Sequence, residues 1–186
     1  MAKFGLLGSS YVSRLSRYMH HDMRLPGYVA FWGRGGMKTD NIPEEIWEEI
    51  ADFKPNCIFM HIGGNDISAT VNPRDVAKRI LDIRDSLIEK GVKTVFVGEI
   101  VRRRPSQKYT PGLTAQEFDR LRKIVNSALK KRLGKNLIRF KDISFPNDYC
   151  DDLIHFSDKK TGRCGIEKYM FHVRRCLLSF RLNAGQ

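Results

Sequence analysis

Gly8-Ser9-Ser10 places two hydroxyls where a short apolar run, Lys3 to Leu7, gives way to a helical pattern. A serine at such a turn sits beside free backbone N–H groups, which can hold a developing oxyanion. The same residues also suit a plain helix start, since serine is a favoured N-cap. Gly33-Arg34-Gly35-Gly36 follows a second run, Tyr28 to Trp32. It lacks the Gly-Lys-Ser/Thr ending of a phosphate-binding loop and the GxGxxG spacing of a dinucleotide loop. It would let the backbone come close to a bound group and aim an N–H at it, or simply make a tight turn. Gly63-Gly64-Asn65-Asp66 follows Cys57 to Ile62. There Asn65 offers a neutral donor, although Asx residues in turns also satisfy backbone. Near the other end, Asp152-Leu153-Ile154-His155 sets a carboxylate three residues before an imidazole. Such an Asp can orient the ring and hold its charge as it takes a proton, with Asp151 as an alternative partner.

The elements that must position these groups alternate. Strands are expected at Lys3–Leu7, Tyr28–Trp32, Cys57–Ile62, Val92–Ile100 and Leu137–Phe140. Helical patterns are expected at Ser13–His20, from Pro43 through Ile46, Trp47, Ile50 and Phe53, and from Asn72 with Val76, Ile80, Ile83, Leu87 and Ile88 on one face. Thr114 caps a further helix ending near Gly134, and a last one runs from about Gly165. Asn72 reads as an N-cap and Gly91 as a C-terminal stop. No linker or repeat divides residues 1–186, so one domain is expected. The alternation predicts an α/β fold with a parallel sheet between helical layers. In such sheets functional residues gather at the carboxyl ends of strands, where the three glycine turns fall.

The 186 residues carry a net charge of +12. Residues 1–100 hold 13 basic and 13 acidic side chains, whereas residues 101–186 hold 20 and 8. Nine basic residues and no acidic one lie between Arg120 and Lys141. This asymmetry suits a polyanionic partner, nucleic acid or an anionic membrane, reached through Arg102, Arg103, Arg104, Lys130, Lys131 and Arg132. A solvated helix face explains the same residues with fewer assumptions. No apolar run is long enough to span a bilayer, and the N-terminal run is too short for a signal peptide. An intracellular, reducing location with free thiols is expected. Cys57 reads as a core thiol. Cys164, His172 and Cys176, with Cys150 or His155, fit no common zinc spacing, so no metal or other cofactor is expected.

Taken in order, Gly-x-Ser, the glycine loop, Gly-Gly-Asn-Asp and Asp-x-x-His resemble the SGNH hydrolases, also called GDSL-like esterases and lipases. The resemblance implies a flavodoxin-like three-layer α/β/α sandwich with five parallel strands ordered 2-1-3-4-5. It implies Ser10 as nucleophile, His155 as general base and Asp152 as its partner. It implies an oxyanion hole from the Ser10 and Gly36 N–H groups and the Asn65 amide. It implies a serine esterase acting on carboxylic esters, including acetyl or short-acyl ones. The family has Asp where this chain has Ser9, which leaves Ser9 as an alternative hydroxyl and a weakened or inactive binding module as the alternative function. The stretches Trp32–Gly36, Ile62–Ile67 and Val97–Arg104 resemble, more narrowly, the SGNH domains of first-reading-frame proteins of animal LINE-type retrotransposons.

Overall fold

The computed structural model describes residues 1–158 and 164–183, the last three as backbone only. The elements follow the chain as β1 (Ala2–Gly8), α1 (Ser10–Tyr18), β2 (Gly27–Gly33), α2 (Glu44–Phe53), β3 (Cys57–His61), α3 (Pro73–Glu89), β4 (Thr94–Gly98), α4 (Ala115–Leu133), β5 (Leu137–Ile138) and α5 (Gly165–Asn183). The strands pair in the order β2-β1-β3-β4-β5, every pair parallel. Both faces of the sheet are covered, which is why β3 reads as an unbroken apolar run and is buried throughout.

Each face has its own core. On one, Tyr11, Val12 and Leu15 of α1 and Ile166, Tyr169, Val173 and Leu177 of α5 pack on Phe4, Leu6 and Phe59. On the other, Ile46 and Ile50, Val76 to Leu87, and Phe118 to Leu133 bring α2, α3 and α4 against Leu7, Ile58, Met60 and Val97. Each fully buried aliphatic side chain of this kind contributes about 1.5–3 kcal/mol of transfer free energy.

Several ends are set by local chemistry. The Asn72 side chain accepts from the Arg74 N–H at 2.9 Å and caps α3. Thr114 and Glu117 form a reciprocal capping box at the start of α4. Asn126 of α4 ties down the chain beyond β4: it accepts from the Ile100 N–H and donates to the Ile100 carbonyl, each at 2.9 Å.

The structure departs from the sequence reading in several places. Strand β4 covers Thr94–Gly98 rather than Val92–Ile100, because the Ile100 N–H turns to the Asn126 side chain instead of a neighbouring strand. Helix α1 begins at Ser10, not Ser13, so the proposed nucleophile lies inside its first turn. Pro43 is the N-cap of α2 rather than its first residue. β5 stops at Ile138 because the Phe140 N–H turns to the Glu99 carboxylate at 3.1 Å instead of the ladder. Ile88 is exposed, since Leu87 already fills the core at the last turn of α3.

Candidate active site

The strand ends converge as parallel topology requires. The Ser9 N–H donates to the His61 carbonyl at 3.2 Å, and the Arg34 N–H to the Gly8 carbonyl at 3.0 Å. The turns after β1, β2 and β3 are thereby fastened edge to edge. Two further bonds pin the glycine loop to the third turn. The Asn65 amide donates to the Met37 carbonyl at 3.2 Å, and the Asp66 carboxylate accepts from the Thr39 N–H and hydroxyl.

Of the two serines, Ser10 meets the imidazole: its Oγ lies 3.0 Å from His155 Nε2. Ser9 occupies the N-cap of α1 without a side-chain cap bond. His155 Nδ1 lies 2.6 Å from Asp152 Oδ2. Asp152, not Asp151, is therefore the partner. Its other oxygen accepts the Ile154 N–H at 2.8 Å and the His155 N–H at 3.0 Å. This tight turn needs Leu153 at φ 55, the left-handed region that bulky residues avoid. The Arg104 N–H holds the Leu153 carbonyl at 2.8 Å. The Tyr11 hydroxyl, one residue after Ser10, donates to the Ile154 carbonyl at 2.6 Å. Residues 145 positions apart in the chain are thus held in one line.

The electrostatics suit a proton relay. Burial opposes ionisation of Asp152, but hydrogen bonds from the His155 backbone and ring and from the Ile154 N–H outweigh it and bring the carboxyl down to about 2. An ionised Asp152 fixes the hydrogen of His155 on Nδ1, which leaves Nε2 to accept from Ser10. Burial pulls the His155 pKa below its ordinary value, against the Asp152 hydrogen bond and with help from the Arg14 and Arg103 cations. The ring is therefore neutral at pH 7.

Three donors lie in the turns at this edge. Ser10 is the first residue of α1, and its N–H has no intrahelical acceptor. The Gly36 N–H makes no hydrogen bond among the described residues. Gly36 has φ 75, and a Cβ there would strike the Tyr109 hydroxyl, so both backbone angle and space require glycine. Asn65 is buried, and the Met37 bond uses one of its two amide hydrogens.

Sequence reasoning missed three residues around this site. Tyr11 stacks on the buried His61, ring centroids 4.9 Å apart. His61 Nε2 faces the Glu99 carbonyl at 3.1 Å and Nδ1 the Tyr169 hydroxyl at 2.8 Å. Burial holds His61 at about 3, so it is a neutral structural ring that donates from Nε2. Arg103 is the third. It is buried, and its guanidinium donates to the Gly64 carbonyl and to Asn65 Oδ1, both at 2.9 Å. The expectation that Arg102–Arg104 form one exposed basic turn is corrected accordingly: Arg102 and Arg104 face solvent and Arg103 does not. Lys130, Lys131 and Arg132 are all exposed.

The imagined zinc ligands are engaged separately. His172 pairs with Asp142, the Cys150 thiol points to the Phe156 carbonyl, and Cys176 to that of Val173. Among the described residues no three His, Cys, Asp or Glu side chains are grouped to hold a metal ion. Nor, among them, is any helix long and apolar enough to cross a membrane.

The model of the GDSL-like lipase/acylhydrolase family matches residues 4–159, from β1 through the Asp-x-x-His loop. The chain belongs to that family. It is accordingly a hydrolase acting on esters. No curated protein matches it in sequence. Among solved structures it is similar to a GDSL-like lipase from Bacteroides thetaiotaomicron, with TM-score 0.77, 10% identity and coverage of 95% of this chain and 88% of that one. A carbohydrate esterase of family 3 from Talaromyces cellulolyticus gives TM-score 0.66 at 15% identity, covering 97% and 98%. An acetyl esterase variant holding an acetate ion gives 0.69 at 14%, covering 99% and 100%. At these identities the likeness is one of fold.

Proposed function

We propose that this family member is a serine esterase of small carboxylic esters, acetyl and other short-acyl esters foremost. The observation that carries the reading is the unbroken line from the Ser10 hydroxyl through His155 to Asp152, at 3.0 and 2.6 Å. Ser10 Oγ attacks the ester carbonyl as its proton passes to His155 Nε2. Asp152 stabilises the imidazolium that results. The tetrahedral oxyanion is received by the Ser10 and Gly36 N–H groups and the Asn65 amide. Collapse expels the alcohol, which takes its proton from Nε2. Water, deprotonated by the same ring, then attacks the acyl-enzyme and releases the acid. None of these steps calls on a carboxylate at Ser9. The Tyr109 hydroxyl packed against Gly36 makes the wall beside that donor close-fitting, which favours a small acyl group. The solved acetyl esterase of the same fold supports that preference. A panel of p-nitrophenyl esters from acetate to palmitate tests it. Turnover should be highest at acetate and vanish in Ser10→Ala, and a maximum at long chains would contradict the short-acyl assignment.

We also propose a polyanion-binding role for the basic edge, favoured by its shape. Two adjoining grooves of about 350 and 520 Å³ share Glu99 and Arg122, and their walls add Arg102, Lys123, Lys130 and Arg139. Four of the cations are partly neutralised, Arg102, Arg122 and Lys123 by Asp119 and Arg139 by Glu99. Net positive charge remains along a concave surface beside the edge strand, which suits a single-stranded nucleic acid backbone. Binding of an oligonucleotide should fall steeply with salt, and Lys130→Ala, Lys131→Ala and Arg132→Ala combined should flatten that slope while ester hydrolysis persists. An unchanged slope, or binding of anionic vesicles in place of oligonucleotide, would overturn the assignment.

A further inference from the structure

Arg103 is expensive where it stands. A buried guanidinium needs several acceptors and a counter-charge. Among the described residues no carboxylate pairs with Arg103, its Nε has no hydrogen-bond partner, and its plane lies over the Phe118 ring at 5.3 Å. Its Nη2 donates to the Gly64 carbonyl and to the Asn65 side-chain oxygen. Those are the residues of the third turn, and Asn65 is the one side-chain donor assigned to the oxyanion hole.

The Asn65 amide is gripped at both ends. A guanidinium can only donate, so it fixes which end is oxygen. The Met37 carbonyl can only accept, so it fixes which end is nitrogen. Rotation by half a turn would set a donor against a donor and an acceptor against an acceptor. The second amide hydrogen is therefore held in one direction before any substrate arrives. A cation on the amide oxygen also draws electron density from the nitrogen and strengthens the hydrogen bond that Nδ2 can give.

We infer that Arg103 is a positioning residue of the oxyanion hole, acting through Asn65 to orient and polarise its amide. The inference rests on the esterase reading for its kinetic consequence, but the Arg103–Asn65 contact does not. Preorganised donors are effective because no reorientation remains to be done as charge develops. Losing the grip should cost a share of what losing the donor itself costs, which is on the order of a hundredfold or more in turnover.

The test uses the full chain and four variants: Arg103→Met, Arg103→Lys, Asn65→Ala, and Arg103→Met with Asn65→Ala. With p-nitrophenyl acetate, Arg103→Met should lower kcat about tenfold or more and change KM less than about threefold. At pH values where His155 is neutral, the double variant should be no slower than Asn65→Ala alone, because the effect of Arg103 that runs through Asn65 is already lost. Its acid limb should nevertheless move to higher pH, since the cation that disfavours protonated His155 is gone; a packing defect would not shift that limb. Arg103→Lys keeps charge and one donor. It should recover part of the loss and serves as the readout if Arg103→Met fails to fold. Independently of any activity, the Asn65 side-chain amide protons should be protected from solvent exchange and displaced by NMR from the shifts of a free asparagine, and both protection and displacement should fall in Arg103→Met. Unchanged amide signals, or losses in the double variant that multiply, would overturn the inference. If the parent chain hydrolyses no ester while the amide signals still depend on Arg103, the esterase reading fails and the positioning contact stands.

Discussion

Asp152→Asn should abolish nearly all esterase activity while leaving the fold intact. Asp152 has two separable duties. Oδ1 accepts the Ile154 and His155 backbone N–H groups, at 2.8 and 3.0 Å, and so shapes the turn. Oδ2 accepts the His155 ring N–H at 2.6 Å and so fixes the tautomer. Asparagine keeps an acceptor for the first duty. For the second it presents an NH2 group to Nδ1, which can be met only if Nδ1 has no hydrogen. The ring hydrogen then moves to Nε2, directed at the Ser10 hydroxyl 3.0 Å away, and no base remains. A wrong tautomer with correct geometry costs about 10³–10⁴ in turnover, about 4–5.5 kcal/mol of transition-state stabilisation. The assay is kcat/KM on p-nitrophenyl acetate with Tm measured in parallel. Asp152→Ala adds the backbone bonds to the loss, so it should lower Tm where Asp152→Asn does not. Asp152→Asn retaining activity within about tenfold of the parent, with an unchanged Tm, would refute the tautomer argument.

Asn65→Ala should reduce kcat about a hundredfold or more with little change in KM, and equal activity would make Asn65 a turn residue only. The acid limb of kcat/KM should lie below the ordinary histidine range. Burial disfavours the protonated form of His155, so neutral base persists as pH falls and is lost only below that lowered value. A limb above pH 6.5 would contradict this, 6.5 being the ordinary histidine pKa. Tyr169→Phe removes the hydroxyl that faces His61 Nδ1 at 2.8 Å inside the core and should destabilise the chain by about 1–3 kcal/mol, read from urea unfolding. A loss within about 0.3 kcal/mol would mean that the bond carries no net stability.

What the sequence made legible was periodic or ordered along the chain. Buried parallel strands are short apolar runs, so β1 and β3 could be read with their glycine stops, and the half-exposed edge strand β2 from its β-branched and aromatic residues. The order of the four motifs points to Ser10, Asn65, Asp152 and His155, and the fold brings Ser10, Asp152 and His155 into one hydrogen-bonded line. What stayed hidden depends on tertiary contact. Nothing in Arg102-Arg103-Arg104 marks the middle residue as buried. That follows from the strand-like alternation of the chain after β4, which turns one side chain of the three under the Gly64 turn. A signal was present all the same, because alternation puts Val101, Arg103 and Pro105 on one side, and Val101 and Pro105 are buried too. Tyr11 and His61 are buried aromatic side chains that no motif marks. Their added role, Tyr11 clasping the Ile154 carbonyl and His61 supporting the Tyr11 ring, needs residues 143 and 50 positions apart to meet. β5 is shorter than its sequence pattern predicts because Phe140 is buried by the α5 face rather than by strand pairing.

The most direct test of the central claim is covalent. A fluorophosphonate reacts only with a serine whose hydroxyl has a base beside it and an oxyanion hole to receive the charged oxygen. Incubated with the full chain and followed by intact mass and peptide mapping, it should add one group, on Ser10, and none in Ser10→Ala. Labelling should slow greatly in His155→Ala and in Asp152→Asn. An unmodified chain, or an adduct on Ser9, would contradict the account.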